Sequence, residues 1–148
     1  LTSDLLSYIA TSDLFASSQL HVAPASPGKA DRLQPFISAG RGTLYVNFEE
    51  AGILCNTEFT NAETAANALV ARGAARALVT DGGNSASLSS SAGTFTATPP
   101  QVLVARVTGA GDTFMAAFIA AEARGRNAEA ALTDALQAAA TYVSGETP

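Results

Sequence analysis

Segments with strand-like and helix-like patterns of apolar residues alternate along this chain of 148 residues. The spacing predicts strands at 19–23, 43–46 and 77–80. Helices are predicted between them, at 27–37 after the first strand and at 48–54 and 62–70 after the second. A capping-box pattern of Thr60 and Glu63 predicts where the helix at 62–70 begins. Strands that alternate with helices pair in parallel. The pattern therefore predicts an α/β fold with a mostly parallel sheet flanked by helices.

The pattern of residues in the rest of the chain predicts further strands and then two long helices. Residues 94–98 and 101–107 alternate in the manner of paired strands. The Ser/Gly-rich stretch before them, 81–93, indicates turns around short strands rather than a domain boundary. Two alanine-rich helices are predicted at 110–124 and 127–143, the second of them N-capped by Asn127.

Composition and charge exclude several classes of protein. With 47% apolar residues, 14% charged residues and a mean hydropathy of +0.19, the chain is a globular domain and not a disordered one. The net charge of −5 and the scattered basic residues argue against a nucleic-acid partner. One cysteine and one histidine can form neither an internal disulfide nor a zinc site, and no apolar run approaches the length of a membrane span. We therefore expect a cytoplasmic protein that contacts no membrane.

Two glycines lie at the turn before the first long helix. At a helix N-terminus the first backbone N–H groups have no partner within the helix, and Gly109 and Gly111 would let a phosphate group approach them closely. Asp112 is unusual beside such a site, because a carboxylate repels phosphate. It either accepts the proton of an attacking hydroxyl group or complements the dipole of the helix in its first turn.

Two other glycine-rich motifs do not fit the chain. A dinucleotide-binding motif requires a third glycine where Phe114 stands, and its acidic residue ends a strand, whereas Glu129 lies in a predicted helix. A Rossmann-type dehydrogenase domain is therefore the weaker alternative. No Gly-x-x-x-x-Gly-Lys-Ser/Thr loop occurs either, since Lys29 is the only lysine and lies in another context.

Four short motifs occur in the order typical of one enzyme family. Residues 108–114, Thr-Gly-Ala-Gly-Asp-Thr-Phe, resemble the C-terminal signature of the PfkB (ribokinase-like) carbohydrate kinases. Residues 47–51, Asn-Phe-Glu-Glu-Ala, resemble the Asn-x-x-Glu motif of that family, and residues 79–83, Val-Thr-Asp-Gly-Gly, resemble its Val-Thr-x-Gly segment. Residues 24–33 are similar to a segment of the pseudouridine-kinase-like branch.

The resemblance implies a ribokinase-like fold of which only a part is present. Family members are considerably longer, and their N-terminal half supplies the lid strands and most contacts to the sugar. No counterpart of that half is found in this sequence, whose first residue is Leu1 and not methionine. We therefore expect residues 1–148 to form the C-terminal, ATP-binding part of a ribokinase-like kinase domain.

The resemblance also implies a role for each matching residue. Asp112 would be the base that deprotonates the acceptor hydroxyl group. The anion hole that stabilises the transferred phosphoryl group would consist of Gly109, Ala110 and Gly111. The residues that act on Mg²⁺, directly or through water, would be Asn47 and Glu50. The ATP-binding set would comprise Thr80, Gly82, Gly83 and Thr108, although Gly83 equally fits an ordinary turn after a strand.

The implied activity is transfer of the γ-phosphoryl group of ATP, with Mg²⁺, to a hydroxyl group of a sugar or nucleoside. The similarity at residues 24–33 favours pseudouridine or a related nucleoside as the acceptor. The implied partners are this small molecule and a second copy of the chain in a homodimer. A nucleotide-binding module without catalysis is the alternative from another class, because the lid is missing. Such a module would bind ATP without releasing ADP when an acceptor is added.

Overall fold

The computed structural model describes residues 1–145, which form six α-helices and five strands. The helices are α1 (Ser3–Thr11), α2 (Gln34–Ala39), α3 (Phe48–Cys55), α4 (Ala62–Ala71), α5 (Ala110–Ala123) and α6 (Ala128–Val143). The strands are β1 (His21–Val22), β2 (Thr43–Asn47), β3 (Arg76–Thr80), β4 (Ala86–Ser90) and β5 (Gly93–Ala97). Short 3₁₀ helices cover Asp13–Phe15 and Pro27–Leu33. None of the helices in this part of the chain is long and apolar enough to cross a membrane.

The five strands form one sheet in the order β1-β2-β3-β4-β5. The pairs β1–β2 and β2–β3 are parallel, whereas β4 is antiparallel to both of its neighbours. Four strands consequently run in one direction and β4 runs in the other. The prediction of an α/β fold with a mostly parallel sheet flanked by helices is confirmed. The carboxyl ends of β2 and β3 meet at one edge, where Asn47 is paired with Thr80.

The sheet separates two apolar cores. Along β2, Leu44 and Val46 contribute to the core beneath α1 to α4, and Tyr45 between them points to the core beneath α5 and α6. This alternation follows from the two-residue period of a strand. The second core contains Phe114 and Phe118 of α5, whose side chains are 3% and 0% exposed. The apolar side of α5 is therefore what fixes the helix against the sheet.

One predicted strand is absent, and one observed strand lies in a stretch for which the sequence indicated only turns around short strands, without bounds. Residues 101–107 form no strand and are exposed, because Pro99 and Pro100 precede them and no neighbouring strand offers a ladder. The partner of β5 is instead β4, which lies inside the Ser/Gly-rich stretch. Its polar residues, Ser87 and Ser89, are buried, since they donate or accept hydrogen bonds with partners on β5 and α4. A pattern of apolar residues cannot give the bounds of such a strand or show that its polar residues are buried.

Two helix starts also differ from the prediction. The N-cap of α4 is Asn61 and not Thr60, because the Asn61 Oδ1 accepts a hydrogen bond from the Thr64 amide at 2.8 Å. The predicted helix 27–37 is divided into the 3₁₀ helix and α2. Pro35 explains the division, since a proline has no N–H to continue the hydrogen bonds of a preceding helix. The predicted cap of α6 at Asn127 is confirmed.

Candidate active site

Three elements meet at the carboxyl edge of the parallel strands. They are the end of β2 with the start of α3, the end of β3 with the turn that follows it, and the start of α5. Open α/β sheets bind their ligands at this edge, because the loops and helix N-termini converge there. Two adjoining cavities occupy it, and both are lined by Thr80, Gly111 and Phe114.

The smaller cavity, of about 140 Å³, carries the acidic residues and is called here the carboxylate cavity. Its wall includes Asn47 and Glu50 from β2 and α3, and Asp112 from the first turn of α5. The carboxyl group of Asp112 is exposed and that of Glu50 is buried. Pro24, the first residue of the segment 24–33, also lines it, and sequence patterns did not identify the remaining lining residues Ala23, Tyr45, Val46, Leu78 and Met115.

Asn47 and Glu50 form a reciprocal capping box at the start of α3. The Glu50 Oε2 accepts a hydrogen bond from the Asn47 amide at 2.9 Å, and the Asn47 Oδ1 accepts one from the Glu50 amide at 2.9 Å. Burial raises the pKa of the Glu50 carboxyl, and the hydrogen bond from the Asn47 amide partly opposes this. Both side chains therefore have a structural role in addition to any role at the cavity.

The donor set of the carboxylate cavity is compatible with Mg²⁺ only if other ligands contribute. In residues 1–145, no group of three or more His, Cys, Asp or Glu side chains could hold a metal ion alone. Mg²⁺ is commonly bound by one or two carboxylates together with substrate phosphates and water. A carboxylate has about four lone-pair positions, so the hydrogen bond to the Glu50 Oε2 leaves capacity for an ion or its water. Asn47 and Glu50 fit this kind of partial site.

The glycine turn at the start of α5 leaves part of the helix end open. Gly109 is the N-cap, with a φ of 92°, and no side chain within residues 1–145 caps the helix there. The Ala110 amide donates to the Val107 carbonyl at 3.1 Å, and the Thr113 amide donates to the Gly109 carbonyl at 2.9 Å. The amides of Gly111 and Asp112 therefore remain for an anion, because an α-helix provides no internal acceptor for its first turn. Space beside Gly111 is open, since a Cβ there would meet nothing within 4 Å.

The larger cavity, of about 340 Å³, lies on the other side of Gly111 and is called here the apolar cavity. Gly82 and Gly83 form part of its wall, and Gly82 has a φ of 53° in the turn after β3. Most of the remaining wall is aliphatic and comes from residues 99–107 and from α6: Pro99, Pro100, Val102, Val104, Val107, Leu136, Ala139, Ala140 and Val143. No sequence pattern indicated that these two segments face each other.

All but two of the residues implied by the motifs line one of these cavities. Ala110 lines the apolar cavity, together with Thr80 and the two glycines after β3. The exceptions are Thr108 and Gly109, which line neither. The Thr108 carbonyl accepts a hydrogen bond from the Tyr142 Oη at 2.8 Å. A Cβ on Gly109 would lie 2.6 Å from the same Tyr142 Oη. In this structure, these two residues contact α6 and shape the turn.

Comparison of the sequence with family descriptions gives a match over residues 4–147 to the pfkB family carbohydrate kinases. The chain belongs to the pfkB family. A search among curated proteins found no match. The family match favours the interpretation of the glycine turn as a kinase motif over that of a dehydrogenase motif.

Solved structures similar to this pfkB chain include several kinases. A carbohydrate kinase from Agrobacterium tumefaciens is 27% identical, with a TM-score of 0.78 over 95% of this chain and 44% of its own. Phosphofructokinase-2 from Escherichia coli, in complex with fructose-6-phosphate, is 21% identical, with a TM-score of 0.80 over 97% of this chain and 47% of its own. Adenosine kinase from Sinorhizobium meliloti is 22% identical, with a TM-score of 0.78 over 95% and 44% of the two chains. This pfkB chain therefore spans less than half the length of these relatives.

Proposed function

We propose that this chain is the ATP-binding part of a kinase that phosphorylates a hydroxyl group of a sugar or nucleoside. The observation that carries the proposal is the position of Asp112 at the start of α5. Its carboxylate borders the carboxylate cavity, while the preceding Gly111 borders both cavities. An acceptor in the carboxylate cavity and a nucleotide in the apolar cavity would therefore meet at the open amides of the glycine turn.

The proposed reaction uses Asp112 as a base. The acceptor hydroxyl oxygen attacks the γ-phosphorus of ATP, and its proton passes to the Asp112 carboxylate. A new O–P bond forms as the bond from the γ-phosphorus to the bridging oxygen breaks, and ADP leaves. The Gly111 and Asp112 amides, at the positive end of α5, stabilise the charge on the transferred group. This modifies the predicted anion hole, because the Ala110 amide already has an acceptor in Val107.

Asn47 and Glu50, which line the carboxylate cavity, would hold Mg²⁺ together with phosphate oxygens and water. Bound Mg²⁺ neutralises phosphate charge in phosphoryl transfer. The capping box supports this role by fixing both side chains at the end of β2. The aliphatic walls of the apolar cavity fit a flat purine base, and Thr80, Gly82 and Gly83 also line this cavity.

A nucleoside such as pseudouridine is the acceptor that we favour. The segment similar to the pseudouridine-kinase-like branch begins at Pro24, which lines the carboxylate cavity together with Ala23. Similar structures include both an adenosine kinase and a phosphofructokinase, so the fold alone does not select the acceptor. We place the activity in the cytoplasm, and the homodimer remains a prediction.

The substitution Asp112→Asn tests the proposed base. On the natural protein that contains this chain, we would measure ADP release from Mg-ATP with ribose, fructose 6-phosphate, adenosine and pseudouridine. We expect one acceptor to stimulate ADP release, and Asp112→Asn to reduce that rate by about 10²- to 10⁴-fold while ATP still binds. The control is Asp4→Asn, because Asp4 also lies in the first turn of a helix and tests the dipole effect alone.

Two results would contradict the proposal in different ways. Full activity in Asp112→Asn would show that Asp112 only complements the helix dipole. ATP binding without acceptor-dependent ADP release, across a wider set of acceptors, would favour the nucleotide-binding module.

A further inference from the structure

The glycine turn follows a segment that has no regular structure of its own. Residues 98–109 form neither helix nor strand, and residues 101–108 are exposed. A segment of this kind is held neither by ladder hydrogen bonds nor by burial, and it opens easily. The φ of 92° at Gly109 is one that glycine adopts readily but does not prefer over its other conformations. The turn has its own hydrogen bond from the Ala110 amide to the Val107 carbonyl, and its position also depends on contacts with another element.

Those contacts come from the C-terminal end of α6. The Val143 carbonyl accepts hydrogen bonds from the Ala105 and Arg106 amides at 2.7 and 3.1 Å. The Tyr142 Oη donates to the Thr108 carbonyl at 2.8 Å, directly before the glycine turn. The Arg106 Nε donates to the Tyr142 carbonyl at 2.7 Å, and its guanidinium carbon lies 4.1 Å from the centre of the Tyr142 ring. We call the pair of side chains the Arg106–Tyr142 clamp.

The Tyr142 ring also packs directly against the glycine turn. A Cβ on Gly109 would lie 2.6 Å from the Tyr142 Oη and 3.1 Å from its Cζ. The phenol group thus bonds the carbonyl before Gly109 and fills the space that a side chain on Gly109 would need. The Arg106 guanidinium lies over the ring, so that the ring contacts both this guanidinium and the Gly109 backbone.

We propose that Arg106 and Tyr142 are positioning residues that hold the glycine turn in the shape needed for phosphoryl transfer. They act through the Thr108 carbonyl and the Gly109 backbone, and neither lines the two cavities. The catalytic part of this inference rests on the proposed function, whereas the mechanical part concerns the turn itself. Amides that stabilise a developing charge work only when they are already oriented. Loosening the clamp should therefore lower kcat more than it changes the KM for ATP.

The experiment compares variants of the clamp with matched variants elsewhere, on the natural protein that contains this chain. Tyr142→Phe removes the hydrogen bond to Thr108 but keeps the ring against Gly109. Arg106→Gln removes the stacked cation, and Arg106→Lys keeps the charge without the planar group. The controls are Tyr8→Phe and Arg124→Gln, which change an exposed tyrosine of α1 and an exposed arginine after α5. The measurements are kcat, the KM for ATP, Tm, and hydrogen exchange of the Ala110 and Thr113 amides, which donate hydrogen bonds to carbonyl groups of the turn.

We expect Tyr142→Phe and Arg106→Gln to lower kcat by roughly five- to tenfold, the usual effect of one lost hydrogen bond. Exchange of the Ala110 and Thr113 amides should accelerate by a similar factor, and Arg106→Lys should lie between Arg106→Gln and the wild type. A fall in Tm with unchanged kcat and unchanged exchange would overturn the proposal, because the clamp would then only stabilise the end of α6. If no acceptor supports ADP release in the wild type, the proposed function fails, and the exchange rates still decide whether the clamp holds the turn.

Discussion

Glu50 shows how one residue combines structural and chemical requirements. Its carboxylate caps α3 by accepting from the Asn47 amide, and it also lines the carboxylate cavity. Burial raises the pKa of this carboxyl, so the charged form carries a desolvation penalty in the folded protein. Because the folded pKa is raised, Glu50 contributes less stability once the pH rises above that pKa. A bound cation would offset the penalty, and a helix cap alone would not require the charge.

Glu50→Gln separates the two roles of this residue. The amide oxygen of glutamine can still accept from the Asn47 amide, so we expect the free energy of unfolding at pH 7 to stay the same or to rise slightly. The Mg²⁺ concentration needed for half-maximal ADP release should rise by roughly 10- to 100-fold, as is usual when a metal site loses a supporting group. Urea unfolding and a Mg²⁺ titration measure these two effects.

The neighbouring carboxylate provides the control for this experiment. Glu49 lies in the same first turn of α3 and is exposed, and its charge has a smaller influence on the Glu50 pKa than burial has, so Glu49→Gln should change both quantities much less than Glu50→Gln. A loss of stability in Glu50→Gln with an unaltered Mg²⁺ requirement would identify Glu50 as a cap only.

Among the elements, β1 is the shortest strand and depends on its neighbour β2. Only His21 and Val22 pair with β2, and the His21 Nδ1 lies 2.9 Å from the Tyr45 Oη in hydrogen-bond contact. Burial lowers the pKa of His21, with the nearby Glu122 carboxylate acting in the opposite direction and the Arg76 guanidinium acting in the same direction. This side-chain link therefore joins the edge strand to the floor of the carboxylate cavity, which Tyr45 helps to line.

The lowered pKa of His21 predicts a pH-dependent stability. Below the ordinary pKa of 6.5, the unfolded chain binds a proton at His21 and the folded chain does not until its own lower pKa is reached. The free energy of unfolding should therefore fall as the pH decreases through this window. His21 is the only histidine of the chain, so His21→Gln should reduce this fall.

Urea unfolding at pH 7.5 and at pH 5.5, pH values chosen to lie about one unit on either side of the ordinary histidine value, measures the difference. The contribution of Glu50 has the opposite sign and is common to both proteins, so the comparison isolates His21. If the free energy of unfolding falls equally between pH 7.5 and pH 5.5 in the wild type and in His21→Gln, the pKa of His21 is not lowered in the folded protein.

At the scale of the whole molecule, the sheet is held between two cores that use different helices. The core beneath α5 and α6 positions the glycine turn, because it fixes α5 behind Asp112. Phe118 lies at its centre with an exposure of 0%. It makes an edge contact with Tyr45 at 6.1 Å between ring centres, and the Arg76 guanidinium carbon lies 5.2 Å from the centre of its ring. This one side chain thus connects α5 with β2 and β3.

Phe118→Ala should destabilise the fold by about 3–5 kcal/mol, since it leaves a cavity at the centre of a core. Phe95→Ala is the matched control, because Phe95 packs against the same core but is only partly buried and should lose less. The free energy of unfolding in urea gives both values. Equal losses in the two variants would mean that the region around Phe118 collapses to fill the space.

Features that depend on residues close together in the sequence could be predicted without the structure. Periodic apolar positions predicted α5 and α6 to within a residue, and Asn127 predicted the start of α6, because helix period and caps are local properties. The motifs that end β2 and β3 come together at one edge because parallel strands bring their carboxyl ends to the same side. These local patterns were sufficient to predict the fold class. They also identified residues most of which line the two adjoining cavities.

Features that depend on residues distant in sequence became visible only in the folded chain. In β4, the Ser89 hydroxyl group donates a hydrogen bond to the Oδ1 of Asn67, 22 positions away in the sequence. This hydrogen bond allows a polar residue of the strand to be buried. The glycine turn is held by Tyr142, 34 positions from Thr108, and no local pattern marks that tyrosine. Residues 101–107 alternate like a strand but have no strand beside them. Hydrogen bonds and burial require a partner in space, and the partner is set by the folded chain as a whole.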